Sequence, residues 1–340
     1  TGLYPLRHGV GEAVQDPSDT GLPLSAVTMA ESMPAVPHGI FGKWHLGVSA
    51  TEGGSDAPID QGFDRAVVTD GNLTPHGYTY REWQWRRDGE PENWAGYITT
   101  ETVDEAVAWI NEQVGQWVAN VWFHAPHGPA HCPPVELAPD CDDEDVLSQY
   151  RAMVAAMDAE VSRLLDSIDL SSVLVIFISD NGSAPIVTLP PFDPSRSKHT
   201  VYEGGIRVPG IIWGDGVAAG ESDAHLRVED VPATVFTWVT GRDPVNGDGK
   251  DWSPLFADPG TAIHDFTLAE EFSPNGGGPY SQSERAVTDG RYKVVTRGGE
   301  ESFFDLEEDP YEGNDLRGSL SPEEQTAYEA MREWALGLPN

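Results

Sequence analysis

The run Val173-Leu174-Val175-Ile176-Phe177-Ile178 is apolar at every position. Successive side chains on a strand point to opposite faces, so a run with no polar position must be covered on both. A strand of that kind belongs in the middle of a parallel sheet packed between helices. It is also far short of the roughly 20 apolar residues that a helix needs to span a bilayer. Its surroundings agree. Upstream, Tyr150, Val154, Met157, Val161, Leu164, Leu165 and Ile168 recur at helical spacing. Earlier still, Thr102-Val103-Asp104-Glu105 reads as a capping box that opens a helix through Val103, Val107, Ile110 and Val114 to about Trp117, and a strand over 118–123 follows. Residues 25–33 suggest a short helix, 40–45 a strand and 208–213 another buried run. Strands alternating with helices predict an α/β fold with a mainly parallel sheet between helices.

The pattern changes near residue 280. Ala286-Val287-Thr288, Asp289-Gly290 and residues 292–296 read as a hairpin with a tight turn, and 302–305 offers a third antiparallel strand. Ser321-Pro322-Glu323-Glu324 then provides an N-cap, a proline at the first helical position and a capping acid. The expected organisation is a large α/β domain over 1–280 and a small antiparallel subdomain with a helix over 281–340. No internal repeat is visible.

Charge narrows the partners. Fifty-six acidic against 20 basic residues give a net charge of −36, and a surface so anionic repels nucleic acid and anionic membranes. The carboxylates lie among 11 Trp, 10 Tyr and 11 Phe, which argues for a folded, salt-adapted protein rather than an acidic disordered chain. Cys132 and Cys141, nine apart in a loop rich in proline and aspartate, read as free thiols in preference to a disulfide. Localisation and oligomeric state are left open by these features, and the chain begins at Thr1 with no basic and apolar leader.

Against this background four lysines, Lys43, Lys198, Lys250 and Lys293, stand out. In Gly42-Lys43-Trp44-His45-Leu46-Gly47 a cation and an imidazole sit two apart behind Ile40-Phe41, which places both on one side of a strand. Ser179-Asp180-Asn181-Gly182 follows the apolar strand, so two hard oxygen donors suited to calcium or magnesium emerge at its carboxyl end, where open α/β folds bind ligands. Taken singly, an Asp-Asn-Gly is more often an Asx turn. His124-Ala125-Pro126-His127-Gly128-Pro129 ends the strand over 118–123, and Lys198-His199-Thr200-Val201-Tyr202-Glu203-Gly204-Gly205-Ile206-Arg207 precedes the run over 208–213. Together these clusters supply cations, imidazoles and metal-type oxygens, the natural surroundings of an anionic substrate and a divalent metal. Trp83, Trp85, Arg86, Arg87 and Trp94 form a further stretch that fits either a sugar site or a packed insertion.

In order and content the four clusters resemble the type I sulfatases (arylsulfatase-like) of the alkaline phosphatase superfamily, with GKWHLG, APHGP, SDNG and K-x-T-x-Y-E-G-G-I-R-V-P in that family's sequence. Thr1-Gly2-Leu3-Tyr4-Pro5, Gly290-Arg291-Tyr292-Lys293 and 304–310 match as well, so the resemblance covers nearly the whole chain. It implies an alkaline-phosphatase-like fold and hydrolysis of a small sulfated substrate. Lys43 would contact the sulfate and the nucleophile, and His45 would move the proton that releases sulfate. His127 and Lys198 would bind sulfate oxygens and assist the leaving alcohol, while Asp180 and Asn181 would hold a metal, calcium in most such enzymes. Glu203, Gly204, Gly205 and Arg207 would shape a turn.

The chain departs from the family in one decisive respect. Sulfatases convert the cysteine or serine of C/S-x-P-x-R to formylglycine and use two further aspartates on a first strand, and this sequence contains no such motif. Cys132-Pro133-Pro134-Val135-Glu136 ends in Glu, and Phe192-Asp193-Pro194-Ser195-Arg196 begins with Phe. The expectation is a sulfatase sequence without its amino-terminal segment and inactive by itself. The rival readings are a phosphomonoester or phosphonate hydrolase of the same superfamily and a non-catalytic anion-binding relative.

Overall fold

A computed structural model describes residues 1–14, 19–47, 51–244 and 247–338. The chain divides into two compact units, one formed by 13–171 and the other by 1–12 with 172–340.

The unit of residues 13–171 is built on β1 (His38–Trp44), β2 (Arg65–Asp70), β3 (Glu82–Arg87), β4 (Glu90–Ala95) and β5 (Val118–Trp122), in the order β4-β3-β2-β1-β5. The central strand β1 runs parallel to both β2 and β5, and β3 and β4 extend the sheet as an antiparallel hairpin. Consecutive side chains of β1 fill opposite cores. Phe41 packs with Val67, Trp85 and Trp109 on the face covered by α1 (Ile98–Glu112) and α2 (Val146–Asp166), while Ile40 joins Trp44, Phe63, Ala66 and Val68 on the other. Both are wholly buried, worth about 1.5–3 kcal/mol apiece. Gly42 sits at φ +106°, and a Cβ there would lie 2.0 Å from the Trp122 carbonyl oxygen, so only glycine lets β1 and β5 approach this closely.

Helix boundaries differ from those expected. α1 begins at Ile98, and Thr102 is inside it, its hydroxyl donating back to the Ile98 carbonyl (2.7 Å) instead of capping. The predicted box has the right letters at the wrong depth. The helix ends at Glu112, leaving Val114 exposed. Residues 25–33 yield a single helical turn, Met29–Ser32, held by a capping box from Thr28 and Glu31. In α2 Met157 and Leu164 of the expected face, with Ile168 just beyond the helix, pack against the core, Ala152, Met153, Ala156 and Glu160 are buried beside them, and Val154 alone of the expected face is exposed. Trp83 and Trp85 are core residues, which removes them as sugar platforms. Cys132 and Cys141 form a disulfide with their Cα atoms 5.7 Å apart, correcting the free-thiol expectation. Cysteine spacing alone could not report that proximity.

In the second unit β6 (Val175–Ile178) pairs antiparallel with β7 (Gly210–Trp213) in a two-stranded sheet. The expected central parallel strand is thus corrected, and so is the buried run at 208–213, since β7 is mostly exposed. All four residues of β6 are half-buried. Apolarity reports what a strand's faces can bury and says nothing about which strand lies alongside. Trp252, Leu255 and Phe256 pack under this pair, next to α3 (Asp230–Thr240).

The four-stranded antiparallel sheet contains β8 (Thr267–Ser273), β9 (Gln282–Thr288), β10 (Tyr292–Arg297) and β11 (Glu300–Asp305), in the order β11-β10-β9-β8. The predicted hairpin is β9–β10, turning through Gly290 at φ +103°, and β8 adds a strand the sequence reading did not include. One face packs Leu268, Val287, Val294 and Phe303 under α4 (Pro322–Leu336). That helix starts as expected: the Ser321 hydroxyl accepts from Glu324 N–H, the Glu324 carboxylate accepts from Ser321 N–H, and Pro322 follows the cap. The α/β class with a parallel core and a separate antiparallel sheet therefore stands. Among the described residues no helix is long and apolar enough to cross a membrane.

Candidate functional site

In the unit of residues 13–171 the site is assembled at the carboxyl ends of the three parallel strands. Lys43 lies in β1 opposite Thr69 of β2, and His45 follows the end of β1. The loop carrying His124 and His127 follows the end of β5. His45 packs its ring against Gly71, where a Cβ would come within 2.8 Å of the imidazole. Gly71 is held by its N–H to the Trp44 carbonyl and by its own carbonyl, which accepts from the Thr69 hydroxyl (3.0 Å).

His124 is the buried centre of this group. Thr69 Oγ lies 2.7 Å from His124 Nε2. Because the Thr69 proton goes to Gly71, its oxygen accepts from Nε2–H, and Nδ1 of His124 keeps its lone pair without a hydrogen-bond partner. Burial, followed by the positive charges of Lys43, His127 and His45, drives the His124 imidazole down to about 3. It is therefore neutral at any physiological pH. The three neighbours that depress it are the three residues this region was expected to contribute, so Lys43, His45 and His127 share one electrostatic environment.

His127 is held by two hydrogen bonds. Its Nδ1–H donates to the Gly128 carbonyl (3.0 Å), which fixes the tautomer and the ring's orientation. Its own carbonyl accepts from the buried Tyr80 hydroxyl (2.7 Å).

The second unit brings together the other two clusters. Gly182 N–H donates to the Gly205 carbonyl (2.8 Å), and Lys198 N–H donates to the Ser183 carbonyl (3.0 Å). These bonds lay the Asp180-Asn181-Gly182 loop beside the Lys198–Gly205 segment. Approach is tight: a Cβ on Gly182 would lie 1.9 Å from the Gly204 carbonyl oxygen, and one on Gly205 would lie 2.2 Å from that of Thr200. Glu203, Gly204 and Gly205 thus shape a turn, as their sequence implied.

Asp180 Oδ1 accepts from the Asn181 N–H, and Asn181 Nδ2 donates to the Gly182 carbonyl. The Asp180 carboxylate and the Asn181 amide oxygen are hard donors. They fit calcium or magnesium in kind, while calcium takes about six to eight oxygens. Among the described residues, three or more His, Cys, Asp or Glu ligand atoms meet only at Cys132, Cys141 and Asp143, and there the sulfurs are joined to each other.

Thr69 and Glu312 escaped the sequence reading, while His124 and Lys293 were named within their motifs but given no role. Thr69 has no motif of its own, although its pairing with Lys43 exposes it. Lys293 is wholly buried, 2.8 Å from both Glu203 and Glu312, and Glu312 also accepts the Glu203 N–H (2.6 Å). A rare lysine among Tyr292, Val294 and Val295 was the available signal.

A family model described as Sulfatase matches residues 1–241. Mouse arylsulfatase G is 27% identical over 75% of this chain, and the match spans 58% of the mouse protein's length. Among solved structures, BT4656 in complex with its substrate D-glucosamine-2-N,6-O-disulfate aligns with a TM-score of 0.78 at 16% identity, covering 99% of this chain and 86% of that one. A phosphonate monoester hydrolase from Silicibacter pomeroyi aligns with a TM-score of 0.67 at 17% identity, covering 99% and 83%. At these identities the structural likenesses establish the fold alone.

Proposed function

The chain belongs to the sulfatase family, and on that premise we propose that it forms the larger part of an enzyme that hydrolyses a sulfate ester, consuming one water and releasing an alcohol and sulfate. The observation that carries this reading is the gathering of Lys43, His45 and His127 around a neutral, buried His124. Three groups that can carry positive charge, brought together in a strongly anionic protein, suit a small anion.

In this reading the Lys43 and Lys198 ammonium groups bind sulfate oxygens and stabilise the charge that accumulates on them as the ester bond breaks. His127 uses Nε2 to bind a sulfate oxygen and to protonate the leaving alcohol oxygen. His45, seated on Gly71, exchanges the proton that accompanies release of sulfate. Asp180 and Asn181 would supply two oxygens to a calcium ion, whose charge would polarise the sulfate. A formylglycine, were a C/S-x-P-x-R segment to supply it, would provide the attacking oxygen. This chain encodes no such segment, so the 340 residues alone are proposed to be inactive. The substrate is a small sulfated molecule, with neither nucleic acid nor membrane as partner.

The test compares the chain as it stands with the chain joined to its preceding coding sequence, on chromogenic sulfate, phosphate and phosphonate esters. The isolated chain is expected to be inert. The extended protein is expected to prefer the sulfate ester and to lose at least about a hundredfold in kcat/KM with Lys43→Ala or His127→Ala. Turnover by the isolated chain that Lys43→Ala abolishes would overturn the inactivity. Preference for phosphate or phosphonate would favour the rival hydrolase, and no turnover of any ester by the extended protein would favour an anion-binding relative.

A further inference from the structure

The antiparallel sheet reaches the Asp180–Lys198 region through one buried charge cluster. Lys293 of β10 points away from the α4 face, which Val294 occupies, and ends between two carboxylates, Glu203 Oε1 and Glu312 Oε1, each 2.8 Å from Nζ. All three side chains are at most one-tenth exposed. Glu312 holds a left-handed backbone at φ +58°, unusual for a residue with a side chain, and its Oε2 accepts the Glu203 N–H. Two acids on one ammonium, one of them in a strained backbone, is a costly arrangement to bury unless geometry demands it.

What the cluster touches is the turn that braces the functional loops. Glu203 opens the short helical turn Glu203–Ile206. Two residues on, the Gly205 carbonyl receives Gly182 N–H, directly after Asp180 and Asn181, and the same segment begins at Lys198, tied to Ser183. Gly204 lies against the Arg196 carbonyl, where a Cβ would come within 2.5 Å, so the turn has little freedom to shift without moving both loops.

We propose that Lys293 and Glu312 are positioning residues: through Glu203 they fix the turn that sets Asp180, Asn181 and Lys198 against one another. Their importance for chemistry rests on the sulfatase reading, but the mechanical link does not. Truncating Lys293 leaves two buried carboxylates facing each other, so the turn moves to separate them.

The experiment is site-resolved amide hydrogen exchange on the full chain, with the Asn181 side-chain amide resonance as a second signal. It compares wild type, Lys293→Met, Glu312→Gln and the control Arg291→Gln. Arg291 lies on the same hairpin and pairs with Asp305 rather than with Glu203 or Glu312, so its loss perturbs the sheet without removing a member of the cluster. In Lys293→Met, exchange at Gly182 and Lys198 should accelerate by at least about tenfold and the Asn181 signal should shift, with β1 and β5 amides unchanged. The control should leave both signals in place. Glu312→Gln keeps an acceptor for the Glu203 N–H and should give a smaller local change, which retains the test should Lys293→Met not fold. Wild-type protection at Gly182 and Lys198 in both cluster variants, or acceleration spread evenly over the chain, would overturn the proposal. Neither readout uses a sulfate ester, so failure here leaves the sulfatase reading standing, and failure of that reading leaves this link intact.

Discussion

Replacing Gly42 by alanine isolates the contact on which the Lys43 strand depends. Two costs are expected. The first is conformational, since a φ of +106° is disfavoured for any residue with a Cβ, at about 1–2 kcal/mol. The second is steric: the new Cβ would stand 2.0 Å from the Trp122 oxygen and 2.8 Å from its carbonyl carbon. That oxygen belongs to the β1–β5 pairing, so it cannot swing aside as a flexible side chain would, and overpacking of this kind costs about 1–3 kcal/mol. Gly115 provides the control. Its φ is +96°, and a Cβ there would meet nothing within 4 Å, so Gly115→Ala carries the first cost alone. Urea denaturation should place Gly42→Ala about 2–5 kcal/mol below wild type and Gly115→Ala about 1–2 kcal/mol below. The difference between the variants is the part due to strand approach. Equal losses for the two substitutions would refute the steric argument and the claim that β1 and β5 are held at glycine distance.

Acid should weaken the fold through its buried histidines. Burial holds the His38 imidazole at about 4 and His124 at about 3, below the unfolded value of about 6.5, so the native state binds fewer protons and stability is complete above that value and lost as pH falls. His38, whose two ring nitrogens make no hydrogen bond, should account for up to about 1.4 kcal/mol per pH unit over the window from about 6.5 to 4; His38→Phe should flatten the acid limb by one proton, and an unchanged slope would contradict this assignment. A net charge of −36 predicts a melting temperature that climbs from millimolar to molar potassium chloride as screening relieves self-repulsion, and a flat profile would sink the salt-adaptation reading.

Local chemistry was legible wherever a few neighbouring residues settle the outcome. Ser321, Pro322 and Glu324 specify the start of α4 because capping uses only adjacent backbone groups. The β9–β10 hairpin follows from Asp289-Gly290 for the same reason. Lys43, His45, His127, Asp180, Asn181 and Lys198 could be nominated because each motif places its polar residues directly after or before an apolar run. Other features depend on partners distant in sequence. The direction of β6 is decided by β7, which arrives more than thirty residues later. Thr102 could cap or lie inside a helix with the same letters, and packing of Ile98 into the core placed it inside. His124 and Thr69, 55 residues apart, acquire a role only when β5 and β2 lie on either side of β1. Lys293 joins Glu203 across 90 residues. A buried charge is tolerable only beside its counterion, and the sequence names the charges while the tertiary fold alone chooses the pairs.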